Sequence, residues 1–93
     1  MTEIDIAREL EDLFSKAGNA HHKAFIKTNG EDPDWPLWYA DHLHEKLGKL
    51  LKATFTKSEL VYLLVTVEKE RGMMAPGSNW QIYYANFFIE RYL

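Results

Sequence analysis

Apolar residues in the first part of the chain recur at alternating spacings of four and three: Ile6, Leu10, Leu13, Ala17, Ala20 and Ala24. Side chains three and four apart share one face of an α-helix, so this is the pattern of a helix with one buried stripe. Thr2 stands three residues before Asp5 in a capping-box-like arrangement. Together these predict a first helix from about Glu3 to Thr28, closed by Asn29-Gly30, a pair that accepts the positive φ of a helix end. Gly18-Asn19 lies inside it and is a weak point where the helix is open to bending or breaking.

A second apolar face, Ala40, Leu43, Leu47, Leu50 and Leu51, predicts a helix from about Pro36 to Lys52, with Trp35 as cap and Pro36 in the first turn. Thr56 and Glu59 form a second capping box, and a third helix from Lys57 to about Arg71 follows, with Gly72 just past its last turn. Its segment LVYLLVTV is β-branched enough to suggest a strand, but the box and the polar EKERG ending favour helix. APGSN is a loop, and Ser78 or Asn79 caps a fourth helix from Trp80 to Tyr92, Gln81 completing a box if Ser78 is the cap. The expectation is an all-α, compact, bundle-like single domain of four helices over residues 1–93, with antiparallel neighbours and no internal repeat.

Charge order agrees with this parsing. Between Glu31 and Glu45 there are five acids and no lysine or arginine, whereas Lys46, Lys49, Lys52 and Lys57 follow without an acid among them. That order complements the dipole of the second helix. Composition narrows the function classes. The 93 residues suit one domain, and without cysteine there is neither a disulfide nor a thiolate nucleophile or ligand. The longest apolar run, Leu60 to Val67, falls short of a membrane span, and no signal-peptide order opens the chain, so a soluble cytoplasmic protein is expected. Net charge is −3 with the basic residues scattered, which argues against nucleic acid as a partner.

Placing residues at about 100° intervals isolates the polar groups that face the wrong way. His22 falls on the charged side of the first helix, but His21 sits in the apolar arc of Leu10, Phe14, Ala17 and Phe25. Glu68 lies between the directions of Val61, Leu64 and Val65, and His44 at the margin of the leucine face, beside Leu37 and Leu51. An inward carboxylate or imidazole needs a partner, and Glu68 with His21 or His44 is the simplest one. Such a pair has a structural reading, fixing helix register, and a functional one, a raised carboxylate pKa beside imidazole for acid–base work or metal ligation. In a third reading Glu68 snorkels to solvent.

Trp38, Asp41, His42 and Glu45 share the outer side of the second helix. They fit a divalent metal or a cationic ligand, although acids near a helix start need no such purpose. The Glu-x-x-His pairs of di-metal carboxylate bundles have only Asp41-x-x-His44 as a counterpart, and no cofactor is expected. On the fourth helix, Trp80, Tyr84, Phe88 and Tyr92, with Tyr83 and Phe87, cover half the circumference, and Ile82 and Ile89 widen the apolar surface. This is either the central helix of the fold or a homodimer contact, on this helix or the second. Phosphate loops, nucleophile elbows, His-Glu-x-x-His and EF-hand patterns are missing from the sequence, and Ser15, Ser58 and Ser78 sit on helix faces or at caps.

The segment GEDPDWPLWYADHL resembles a group of small bacterial helical proteins that share an Asp-Pro-Asp-Trp-Pro-Leu-Trp-Tyr-Ala-like stretch, and the likeness extends over FTKSELVYLLVTVEKE and the aromatic C-terminal segment. The resemblance implies a bacterial cytoplasmic setting and brings no activity, cofactor or catalytic residue. Two functions are carried forward: a non-catalytic, homodimeric protein-interaction module using an aromatic surface, and a small-ligand- or metal-binding protein, or an enzyme, built around Glu68, His21 and His44.

Overall fold

The computed structural model describes residues 2–93. Four α-helices, α1 (Glu3–Ala24), α2 (Trp35–Leu51), α3 (Lys57–Met74) and α4 (Trp80–Tyr92), are joined by short loops. Both expected capping boxes form. The Thr2 hydroxyl accepts from the Asp5 amide at 3.2 Å, and the Thr56 hydroxyl accepts from the Glu59 amide at 3.0 Å while the Glu59 carboxylate accepts from the Thr56 amide. Asn79, not Ser78, caps α4, its side-chain oxygen accepting from the Ile82 amide at 3.0 Å.

Four boundaries differ from the sequence expectation, each for a local reason. The first helix stops at Ala24 instead of Thr28, because Phe25 leaves helical geometry (φ −115°, ψ 33°) and a single 3-10 turn, Ile26–Thr28, follows. Asn29 and Gly30 then take positive φ, 58° and 85°, as their sequence suggested. At the start of α2 the cap is Asp34, one residue before Trp35, and Pro36 still occupies the first turn. Its other end comes at Leu51, since Lys52 adopts the left-handed conformation. The α3 helix continues through Gly72 to Met74, because a glycine costs a helix only ~1 kcal/mol and Arg71, one turn before the end, is anchored on both sides.

Gly18 does not break α1. A Cβ there would lie 3.0 Å from the Trp80 ring, so the missing side chain is what lets α4 approach.

The chain runs up and down. His21 near the end of α1 and Trp35 at the start of α2 share one end of the bundle with Glu68, late in α3, and Trp80, at the start of α4. Phe55, just before α3, meets Tyr92, the last residue of α4, at the other. Sequence neighbours are therefore antiparallel. The most extensive packing is α1 on α4 and α2 on α3, as around a four-cornered bundle. Leu10, Phe14, Leu43, Leu47, Leu60, Leu64, Val67 and Phe88 are fully buried between the helices. The Cα radius of gyration, 12.8 Å, is close to the ~12 Å of a compact domain of this length. Among the described residues no helix is long and apolar enough to cross a membrane.

Candidate functional site

One end of this bundle gathers most of its inward polar groups around a cleft. Where α1 ends, α2 and α4 begin and α3 approaches its end, a cleft of about 420 Å³ is lined by His21, Gly30, Asp32, Trp35, Tyr39, Glu68, Arg71, Trp80 and Tyr84. Its volume lies in the range of small-molecule sites.

The first wall is built around His21. Its position in the apolar arc of α1 buries it to 7 % exposure, and burial requires a partner. Asp32 supplies it, with His21 Nε2 at 3.0 Å from Oδ2. Asp32 is itself held by the tight Asp-Pro-Asp turn, where its Oδ1 accepts from the Asp34 amide at 3.0 Å. The imidazole is stacked on Tyr39 (centroids 4.9 Å apart, 25° between planes) and flanked by Phe25 and by the edge of Trp38. The contact with the carboxylate and the flanking rings hold the imidazole in one orientation. Burial, and then the charge of Asp32, push the Tyr39 hydroxyl above the ordinary tyrosine pKa.

Glu68 forms the opposite wall. Its carboxylate accepts from Arg71 Nε at 3.1 and 3.2 Å, from Arg71 Nη2, and from the Tyr84 hydroxyl at 2.5 Å. Arg71 Nη1 also donates to the Ser78 carbonyl at 3.2 Å, tying α3 to the loop before α4. Burial alone would raise the Glu68 pKa, but the hydrogen bonds from Arg71 and Tyr84 outweigh it and hold the carboxyl below its usual range. The Tyr84 hydroxyl is pushed far up by its burial and by the carboxylate it serves.

The expected partnership of Glu68 with His21 or His44 does not form, and its pKa moves down instead of up. An arginine three residues along the same helix reaches the carboxylate first. His21 and Glu68 do line the same cleft, each with its own partner. His44 lies toward the other end of α2, its Nε2 2.7 Å from the Phe55 carbonyl and its ring edge-on to Phe55. It fastens the α2–α3 loop.

The outer face of α2 is divided among separate pairs. Trp38 stacks on His42 with centroids 4.7 Å apart, Asp41 meets Lys57 at 2.8 Å and Glu45 meets Lys49 at 3.5 Å. The Lys57 ammonium holds the Asp41 carboxyl below its ordinary pKa. Among the described residues no three His, Asp or Glu side chains gather as metal ligands. No known protein family, curated protein or solved structure matches this chain.

The aromatic face of α4 turns inward. Tyr84 is 5 % exposed and Phe88 fully buried, and Phe14 packs against both and against Trp80, with centroids 5.6 to 6.1 Å away. These two interface candidates are therefore core, and α4 packs chiefly on α1. Tyr92, half-buried, stacks on Phe88, while Trp80 lines the cleft. Sequence reasoning missed Asp32, Trp35, Tyr39 and Arg71 as site residues. Arg71 carried a signal, its spacing of three from Glu68; Asp32 carried none, since its approach to His21 depends on the Phe25–Gly30 turn.

Proposed function

We propose that this protein binds a small organic molecule in the cleft at the α1–α2 end of the bundle. The observation that carries the reading is convergence: the buried His21–Asp32 pair and the Glu68–Arg71–Tyr84 network open onto one cavity walled by Trp35, Tyr39 and Trp80. Aromatic walls with fixed polar groups converging on one concavity are a usual feature of a small-molecule site. Native mass spectrometry on protein purified without chelator or affinity tag tests it. A co-purified small molecule, lost from a Tyr39→Ala variant that keeps its helical circular dichroism, is the expected result. Adducts that persist in the variant would count against the cleft.

A second reading keeps the homodimeric interaction module, in the bacterial cytoplasm that the GEDPDWPLWYADHL likeness implies. It is supported by exposed apolar side chains elsewhere, Leu37 on α2, Ile82 on α4, and Tyr62, Met73 and Met74 on α3. Size-exclusion mass across a dilution series decides it, and a monomer at high micromolar concentration would reject it.

A further inference from the structure

Resting on the cleft as a small-molecule site, we infer that its ligand is an organic cation, a protonated amine carried on a ring or other apolar body. The inference comes from the charge of the lining and from its ring faces. Two carboxylates, Asp32 and Glu68, stand there against one guanidinium, Arg71, so with the His21 imidazole neutral the lining keeps one net negative charge. The guanidinium is committed to the protein. Its Nε and Nη2 donate to Glu68 and its Nη1 to the Ser78 carbonyl, which gives each of the three nitrogens a protein acceptor. The carboxylate of that pair is the more exposed partner, 33 % for the Glu68 side chain against 21 % for Arg71.

The acids also keep acceptor capacity. A carboxylate offers about four acceptor positions. Asp32 is bonded by His21 Nε2 and by the Asp34 amide, and Glu68 by Arg71 Nε and Nη2 and the Tyr84 hydroxyl. His21 Nδ1 has no protein partner among the described residues. An ammonium group brings a positive charge and N–H donors together, and bonds of that kind to a carboxylate are the strong ones. The indole N–H groups of Trp35 and Trp80 and the Tyr39 hydroxyl likewise donate to no protein acceptor among the described residues, which makes a neutral hydroxyl or carbonyl compound the rival occupant. Those donors are uncharged and leave the field of the acids in place.

The rings select the same sign of charge. Trp35 stands edge-to-face on Tyr39, Tyr39 on Trp80, and Trp80 on Tyr84, at 73 to 78° between successive planes. Rings crossed in this way present π faces as well as edges along the wall. A π face carries partial negative charge and attracts a cation, most strongly for tryptophan and where water is displaced. Burial first, and then the Asp32 charge, raise the pKa of the Tyr39 hydroxyl in that wall. The field that opposes a phenolate there favours a positive ligand.

Three matched probes distinguish these cases: benzylammonium, benzyl alcohol and benzoate, titrated to about 10 mM, where weak binders of this size register. Binding is followed by the indole ¹H–¹⁵N resonances of Trp35 and Trp80, with the backbone amides of His44 and Phe55, at the other end of the bundle, as the control. Benzylammonium is expected to move the Trp35 and Trp80 signals with at least about tenfold higher affinity than benzyl alcohol, and benzoate to bind most weakly. Raising the salt from about 20 mM to about 500 mM should weaken benzylammonium severalfold and leave benzyl alcohol unchanged. Both comparisons use the wild-type chain, so neither depends on a variant folding. Asp32→Asn, which removes the charge and keeps the shape, is expected to abolish most of the preference for the amine. Benzyl alcohol or benzoate binding as tightly as benzylammonium at the same resonances would overturn the cation inference and leave the cleft reading standing. No shift at Trp35 and Trp80 with any probe would overturn both.

Discussion

His21 and His44 each bond to a residue eleven positions further along the chain, yet they serve opposite ends of the bundle in different ways. His44 bonds the backbone carbonyl of Phe55 in the α2–α3 loop, and the Phe55 ring in turn packs on Tyr92. A groove of about 450 Å³ lies beside it, lined by residues of α2 and the α2–α3 loop and without a buried ion pair. His21 bonds a carboxylate, is stacked on Tyr39, and lines an open cavity whose far wall is a second charged network. A helical bundle this small could close both ends with apolar side chains at less desolvation cost. Keeping the His21–Asp32 and Glu68–Arg71 pairs around a cleft at one end and one imidazole–carbonyl bond at the other is the asymmetry on which the proposed function rests.

Substitutions can break that contrast. The largest effect is expected for Phe14→Ala, which removes a fully buried ring touching Trp80, Tyr84 and Phe88. A loss of about 3–5 kcal/mol, read from urea denaturation, should come with loss of ligand binding, because the ring lies behind the cleft. Asp32→Ala should cost less, about 1–3 kcal/mol, by leaving a buried imidazole N–H unpaired. It should also abolish binding. His44→Ala, at the other end of the bundle, should cost ~1 kcal/mol and leave ligand affinity unchanged. If Asp32→Ala and His44→Ala prove alike in both readouts, the two ends do not differ in kind.

A pH series sharpens the comparison further. Glu68 has its carboxyl held below the ordinary range in the folded state, so its contribution is present above the unfolded pKa of ~4.3 and is lost as pH falls through the lowered folded value. Wild type should therefore exceed Glu68→Gln in thermal midpoint at neutral pH, and the gap should narrow only under acid conditions. A gap that widens on acidification would mean that burial prevails and the carboxyl is raised. The smallest effect is expected for Lys57→Ala: its bridge to Asp41 is solvent-exposed, and neither midpoint nor binding should change measurably.

What could be read from the chain alone follows from how far apart the interacting residues lie. Thr2 with Asp5 and Thr56 with Glu59 are three-residue patterns, and both form as expected. Burial of His21 was legible from the same periodicity that places Phe14 and Ala17. The end of α1 was not, since the apolar rhythm continues to Ala24 and beyond while Phe25 abandons the helix to lie over His21. Nor was the pairing of Glu68, where a local arginine competes with histidines that only tertiary structure can position. The aromatic surface of α4 was read correctly as too wide for one neighbour. Phe14 of α1, Phe55 before α3 and the cleft each take a share of it.

The most direct test of the functional contrast is a small-molecule fragment screen mapped on the protein by backbone and indole ¹H–¹⁵N shifts. The account predicts that binders cluster on the resonances of His21, Trp35, Tyr39, Arg71 and Trp80, and that those of His44 and Phe55 stay still. Fragments that collect instead around His44 and Phe55, or on the exposed Tyr62 and Met73 side chains of α3, would contradict it.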